Sequence, residues 1–351
     1  MDIKEFLLKN NLDAILITSM INIRYFSQFT GTEAKVLITN NDNYIFVDSR
    51  YYEQAKMQCD DYQVILIKNN DFENMLHELV TNLHIKNIGF EGNKLDFYSF
   101  NKISTLIKAN YFNVDLTILR AEKNEDEINF IKKACLIAKD AYEYIFSIIK
   151  PGMSEKEVAL KMQLYVLKHN AEKISFDTIV ASGLRSSLPH GVASDKIIEE
   201  NDFVTIDFGC FYQGYCSDFT RTICVGLNPN KKLKEIYNIV LEAQQLAIKA
   251  IRPGIRACDI DKIARDYITK KGYGEYFGHG LGHGIGLEIH ELPNINASSL
   301  IVLKPNHIIT IEPGIYLPEL GGVRIEDDIL VTEKGYENLT NLNKDLLLIQ
   351  N

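Results

Sequence analysis

The 351-residue sequence has no CxxC pair, no long apolar run and no excess of positive charge. Its six cysteines lie at 59, 135, 210, 216, 224 and 258, without the spacing of a zinc knuckle or a redox motif. In a chain of this length they read as reduced, buried, small apolar residues, and a disulfide framework is not expected. No apolar stretch approaches the roughly 18–20 residues of a membrane span. The opening MDIKEFLLKNN lacks a signal-peptide h-region, so a cytoplasmic protein is expected. The net charge is −9, from 38 Lys+Arg against 47 Asp+Glu. An acidic surface is repelled by phosphate backbones and anionic lipid, which argues against nucleic acid and membrane as partners. What remains is an ordinary globular composition, 46% apolar and 24% charged, long enough for two domains.

The first third reads as α/β. AILIT (14–18), KVLIT (35–39), YIFVD (44–48) and VILIK (64–68) are short β-branched runs. Helical stretches such as Tyr51–Met57 and Phe72–Leu83 fall between and after them, as in a small sheet flanked by helices. His77 and His84 stand alone and read as surface or helix-face residues. A boundary is expected near 121, where a charged stretch leads into a helix start. Asn124 can cap that helix, with Glu127 returning the bond, and a long amphipathic helix follows to about Ile149. The domains are therefore 1–121 and 122–351.

The second part repeats itself. IIKPGMSEKEV and AIRPGIRACDI align at an offset of 102, pairing Pro151 with Pro253 and Gly152 with Gly254. Each copy runs from a long helix through Pro-Gly into a second helix, then to strands carrying paired acids. Two similar half-domains with a site between them are expected.

The acids carry the chemistry. FVTIDFGCFYQGYCSDFTRTICVG (203–226) reads as a hairpin turning at Tyr212-Gln213-Gly214. Opposed residues of a hairpin have a constant index sum. A two-residue loop at Tyr212-Gln213 gives 425 and sets Asp207 directly across from Asp218, about 4.5–5.5 Å apart at Cβ. ITIEPGIYLPELGGVRIEDDILV (309–331) reads as a second hairpin with its turn in Leu317–Gly322, which opposes Glu312 and Glu326 at a sum of 638. Opposed like charges destabilise a sheet unless a cation lies between them. Between the hairpins runs FGHGLGHGIGLEIHE (277–291). Its HxxxH spacing suggests a zincin only on a helix, and glycine at 278, 280, 282, 284 and 286 excludes a helix interior. An extended segment stripped for close approach is expected, with His279 and His283 projecting from it and His290 adding a third imidazole. Asp207, Asp218, His283, Glu312 and Glu326 carry too much negative charge for one structural zinc. They suit two divalent ions such as Mn²⁺ or Co²⁺.

These segments, with SSLPHGVAS (186–194), EPGIY (312–316), GGVRIEDD (321–328), NIRYFSQFTG (22–31) and VDSRYYEQA (47–55), make the chain resemble the creatinase, or pita-bread, metallopeptidases: Xaa-Pro aminopeptidases and Xaa-Pro dipeptidases (prolidases). The resemblance implies an N-terminal α/β domain and an α+β pita-bread domain with an internal pseudo-twofold repeat. It implies two divalent ions, most often Mn²⁺, with Co²⁺ or Zn²⁺ as alternatives. Asp207 would bind one ion, Asp218 and Glu326 would bridge, and His283 and Glu312 would complete the second. Glu312 falls where the family places its base. His190, His279, His290 and Arg324 fall where it places substrate-binding and proton-shuttling groups, with His290 stabilising the oxyanion. A peptide or dipeptide with proline second is the implied substrate, and a homodimer the implied assembly. Four alternatives stand beside this reading. Creatinase departs from the metal pattern, and methionine aminopeptidase lacks a domain like 1–120. A broad aminopeptidase or a non-enzymatic peptide-binding relative remains, although the latter typically loses metal ligands that are intact here.

Overall fold

The computed structural model describes residues 2–69 and 71–350 and divides into two compact units, Met1–Arg120 and Ala121–Asn351. In the first, helices α1 (Ile3–Lys9), α2 (Met20–Ser27), α3 (Tyr52–Gln58), α4 (Phe72–Asn82) and α5 (Phe97–Leu106) flank one mixed sheet. Its strands are β1 (Ala14–Ile17), β2 (Lys35–Thr39), β3 (Asn43–Val47), β4 (Gln63–Leu66), β5 (Asn87–Phe90) and β6 (Asn110–Asn113), in the order β4-β3-β2-β1-β5-β6. Period-2 alternation explains why both faces are covered. Ile15, Ile17, Val36 and Ile38 enter one core, while Leu16, Leu37, Tyr44 and Phe46 enter the other.

The second unit opens with α6 (Glu125–Ile148). Its first turn is closed by a capping box: Asn124 accepts from the Glu127 N–H and the Glu127 carboxylate accepts from the Asn124 N–H. The first half-domain continues with α7 (Glu155–Lys168), β7 (Lys173–Ile174), β8 (Ile179–Ser182), β9 (Asp202–Phe208), β10 (Cys210–Tyr212), β11 (Tyr215–Cys216) and β12 (Phe219–Val225). The second begins with α8 (Lys231–Ala250) and α9 (Ala257–Lys270). Its strands are β13 (Gly282–Gly284), β14 (Glu291–Ile295), β15 (Ile308–Ile311), β16 (Gly314–Leu317), β17 (Gly321–Arg324), β18 (Asp327–Thr332) and β19 (Gly335–Asn338). A last short strand, β20 (Leu348–Ile349), returns to pair with β12 of the first half.

The repeat is visible bond by bond. Gly152 N–H donates to Ile198 O and Glu155 N–H to Lys196 O; 102 residues on, Gly254 N–H donates to Leu303 O and Ala257 N–H to Ile301 O. Gly152 and Gly254 both hold φ near +90°, at 92° and 87°, which a side chain rarely adopts. Each half packs its helix pair over its own sheet, α6 and α7 on one core and α8 and α9 on the other.

The two expected hairpins form, with one correction each. The first turns at Gln213-Gly214, not one residue earlier. A two-residue type I′ loop needs positive φ at both central positions, and Gln213 (50°) with Gly214 (81°) provides it where Tyr212 would not. The register is therefore Asp207 opposite Thr220, and Asp218 is a diagonal neighbour on the same face. The second keeps the expected register throughout, but its turn is only Pro318-Glu319-Leu320 and its ladder breaks into two sheets. Pro313 has no N–H to continue the ladder, so Glu312 and Glu326 fall in the gap. All six cysteines are unpaired as expected, but Cys258 is only partly buried. Among the described residues, no helix is long and apolar enough to cross a membrane.

Candidate metal centre

The gap between the two halves is where the carboxylates meet. Freed from its own ladder, the Glu326 N–H donates to Thr220 O of the first half, 3.0 Å away, and the Glu312 N–H donates to Leu281 O at 2.8 Å. Thr220 returns a hydroxyl bond to Glu326 Oε2 at 2.7 Å. Asp218 sits in the interruption between β11 and β12, and its N–H donates to Asp328 Oδ2 of the second half at 2.9 Å. Each half thus orients an acid of the other.

The glycine-rich segment contributes its imidazole by close approach. A Cβ on Gly282 would stand 2.0 Å from Thr310 O and one on Gly284 2.3 Å from Leu292 O, so only glycine lets β13 lie between β14 and β15. The extended geometry is as expected, but regular strand covers only Gly282–Gly284. His283 Nδ1 donates to Gly284 O at 3.1 Å, which fixes the tautomer and leaves the Nε2 lone pair free. That Nε2 lies 3.4 Å from Glu312 Oε1 and 3.7 Å from Asp218 Oδ2.

Asp218, His283 and Glu326 each offer an atom within 4.8 Å of the others. Glu312 adjoins this group through His283. Asp207 stands apart from it in one respect: its Oδ2 is held by Arg324 Nη2 at 2.7 Å. Burial, then repulsion from Glu326 and Asp207, pushes Asp218 well above the carboxylate range, and burial with Glu312 and Asp207 does the same to Glu326. Burial pushes Glu312 up to about 8 despite the attraction of Arg324. Burial also pulls His283 down to about 3, keeping it a neutral donor. Asp207 Oδ1, Asp218 Oδ1 and Glu326 Oε1 are buried without any hydrogen-bond partner. Buried acids with orphaned oxygens, beside one neutral imidazole, are a donor set that fits hard divalent cations.

All nine residues expected at the site line one cavity of about 470 Å³. His190 and His290 are exposed into it, whereas His279 is half-buried and already engaged, bonding Gly280 O through Nδ1 and the Tyr316 hydroxyl through Nε2. Burial lowers His279 to about 4. Arg324 is buried and spends its donors on the protein: Thr220, Pro189 O and Tyr316 as well as Asp207. Tyr316, Thr220 and Asp328 are functional neighbours that sequence reasoning missed. Tyr316 lay inside the quoted EPGIY motif, but nothing local distinguishes a bonding hydroxyl from a packed ring.

Residues 2–121 match the creatinase/prolidase N-terminal domain, and residues 129–333 match metallopeptidase family M24. The chain is 43% identical over 355 residues to the Xaa-Pro dipeptidase of Pyrococcus horikoshii, covering 98% of this chain and 97% of that one. Among solved structures, the Xaa-Pro dipeptidase from Bacillus anthracis superposes with a TM-score of 0.96 at 46% identity, covering 99% of this chain and 98% of the other. The X-Pro aminopeptidase from Thermotoga maritima superposes with a TM-score of 0.91 at 41% identity, covering 99% and 100%. With the creatinase N-terminal match followed by an M24 match over the cavity-bearing pseudo-twofold repeat, the chain belongs to the M24 metallopeptidases, hydrolases of the pita-bread fold.

Proposed function

We propose that this protein hydrolyses the bond between an N-terminal residue and a following proline, with Xaa-Pro dipeptides as its main substrates. One observation carries the reading: acids from two half-domains and one tautomer-fixed imidazole line a single cavity, in a chain similar along nearly its whole length to Xaa-Pro dipeptidases. Every residue lining that cavity falls in 122–351, which we assign as the catalytic domain; 1–121 is the creatinase-like domain.

Asp207, Asp218, His283, Glu312 and Glu326 would hold two divalent ions, and their oxygen-rich donor set favours Mn²⁺ over zinc. Such ions supply Lewis acidity and a water acidified toward neutrality. The chain's own groups do the rest. Glu312 takes a proton at its carboxylate and delivers it to the leaving imide nitrogen. His290 and His190, exposed into the cavity, donate to the scissile carbonyl oxygen and hold the substrate. Arg324 and His279 position Asp207 and Tyr316 around them. Unpaired cysteines agree with a reducing, cytoplasmic setting. The homodimer implied by the resemblance is checked by light scattering at assay concentration.

Ala-Pro and Ala-Pro-Ala, offered separately to the Mn²⁺-loaded protein, test the reading. Faster cleavage of Ala-Pro is expected. Faster cleavage of the tripeptide would make the protein an Xaa-Pro aminopeptidase, and cleavage of neither would end the proline-directed reading.

A further inference from the structure

The cavity contains one acid that the metal centre does not use. Asp177 lines the same cavity and is exposed, and its carboxylate has no hydrogen bond or ion pair among the described residues. Every other acid lining the cavity belongs to the donor set.

Its place along the chain is informative. Two residues before Asp177, the Ser175 N–H donates to Gly209 O at 2.9 Å; two residues after it, Ile179 pairs in register with Asp207. Asp177 is thus carried past the edge of the metal centre on the segment that also supplies Phe176 and Ile179 to the cavity wall. The chain bends at Ser175–Asp177 before β8 begins at Ile179, so Asp177 lies at most about 6.6 Å along the chain from Ile179. A lysine side chain reaches about the same distance from its own Cα. A substrate whose first residue sits beside Asp207 therefore lays its side chain along Phe176 and Ile179, with the tip of a long side chain at Asp177.

The charges separate along that line. With two divalent ions bound, Asp207, Asp218, Glu312 and Glu326 would carry four negative charges, which the ions and Arg324 would more than balance. Asp177 then stands as the uncompensated anion of the outer wall, with no lining Lys or Arg near enough to pair with it. The apolar stem of Lys or Arg packs on Phe176 and Ile179 while its charge stays in water, the usual arrangement for these side chains.

We infer that Asp177 is a specificity-determining residue that favours peptides with a cationic first side chain and disfavours those with an acidic one. The inference rests on the proline-directed reading above. Its test is kcat/KM for Lys-Pro, norleucine-Pro and Glu-Pro, measured on the metal-loaded wild type and on Asp177→Asn and Asp177→Lys. All three substrates share the α-amine and the proline; norleucine-Pro keeps the apolar stem of Lys-Pro without its charge, and Glu-Pro carries the opposite charge on a shorter stem.

Wild type should prefer Lys-Pro to norleucine-Pro by about 2- to 5-fold, the range of an exposed ion pair, and should disfavour Glu-Pro by a similar factor. Raising the salt from 0.05 to about 0.5 M should shrink both ratios, because the pair is solvent-exposed. Asp177→Asn should bring the ratios close to one while leaving norleucine-Pro cleavage unchanged, and Asp177→Lys should invert them. Equal kcat/KM for the three substrates in wild type would overturn the inference alone. So would a loss in Asp177→Asn that is equal for all three, since Asp177 would then serve the shared α-amine. Failure of wild type to cut any of them would instead overturn the proline-directed reading.

Discussion

Under the proposed function Glu312 would both hold a metal and move a proton. Thr310 donates to it and His283 lies 3.4 Å away. Glu312→Gln keeps the shape and removes the proton acceptor. Turnover should fall at least about 10²-fold, with metal content measured alongside to separate the two roles. A Gln variant that turns over at the wild-type rate would place the base elsewhere. A second residue controls stability rather than chemistry. His307 is buried, accepts weakly from the Lys304 N–H at Nδ1, and is lowered to about 4 by burial and by Lys123. The unfolded value is about 6.5, so its neutral form is favoured on folding. Its contribution is complete above about pH 6.5 and is lost as the pH falls toward 4, at about 1.4 kcal/mol per pKa unit. In His307→Gln the acid limb of the melting curve should flatten across that window. An unchanged limb would show that His307 does not set it.

At the scale of elements, the metal centre depends on strands that stop where the chemistry begins. Gly209 shows how tight the joint is: a Cβ there would stand 1.9 Å from Ser217 O, inside the hairpin that carries Asp207 and Asp218. Gly152 offers the contrast, with φ +92° and nothing within 4 Å. Gly209→Ala should cost about 1–3 kcal/mol or more, because backbone must move, and should weaken metal binding with it. Gly152→Ala should cost about 1 kcal/mol of backbone strain and leave metal binding intact. Urea unfolding and metal titration of both variants check this; equal metal affinity in the two would contradict the role given to the joint. The same elements show what was legible in the sequence. The 638 register held because hydrophobic alternation fixed it on both sides of Pro313. The 425 register failed by one turn position, because a type I′ turn is chosen by which residue tolerates positive φ. The bonds from Glu326 to Thr220 and from Asp218 to Asp328 join residues more than 100 positions apart, and no local pattern announces them.

For the whole molecule, the duplication makes the site possible. One half-domain alone provides two acids on a hairpin; a second half, turned against the first, provides the other two and an imidazole. The N-terminal unit has its own two cores and none of the cavity's lining residues. What the catalytic domain must then do is tell proline from other residues at the second position. A tertiary amide presents no N–H, so a site shaped for it supplies no acceptor there. An alanine in that place brings an unpaired donor, at about 1–3 kcal/mol, and leaves the space of the ring empty. The most direct measurement is kcat/KM for Ala-Pro beside Ala-Ala, at equal and verified metal content. A preference for Ala-Pro of roughly 10- to 10³-fold is expected. Equal hydrolysis of the two would show that the metal centre works without selecting proline, and would contradict the account.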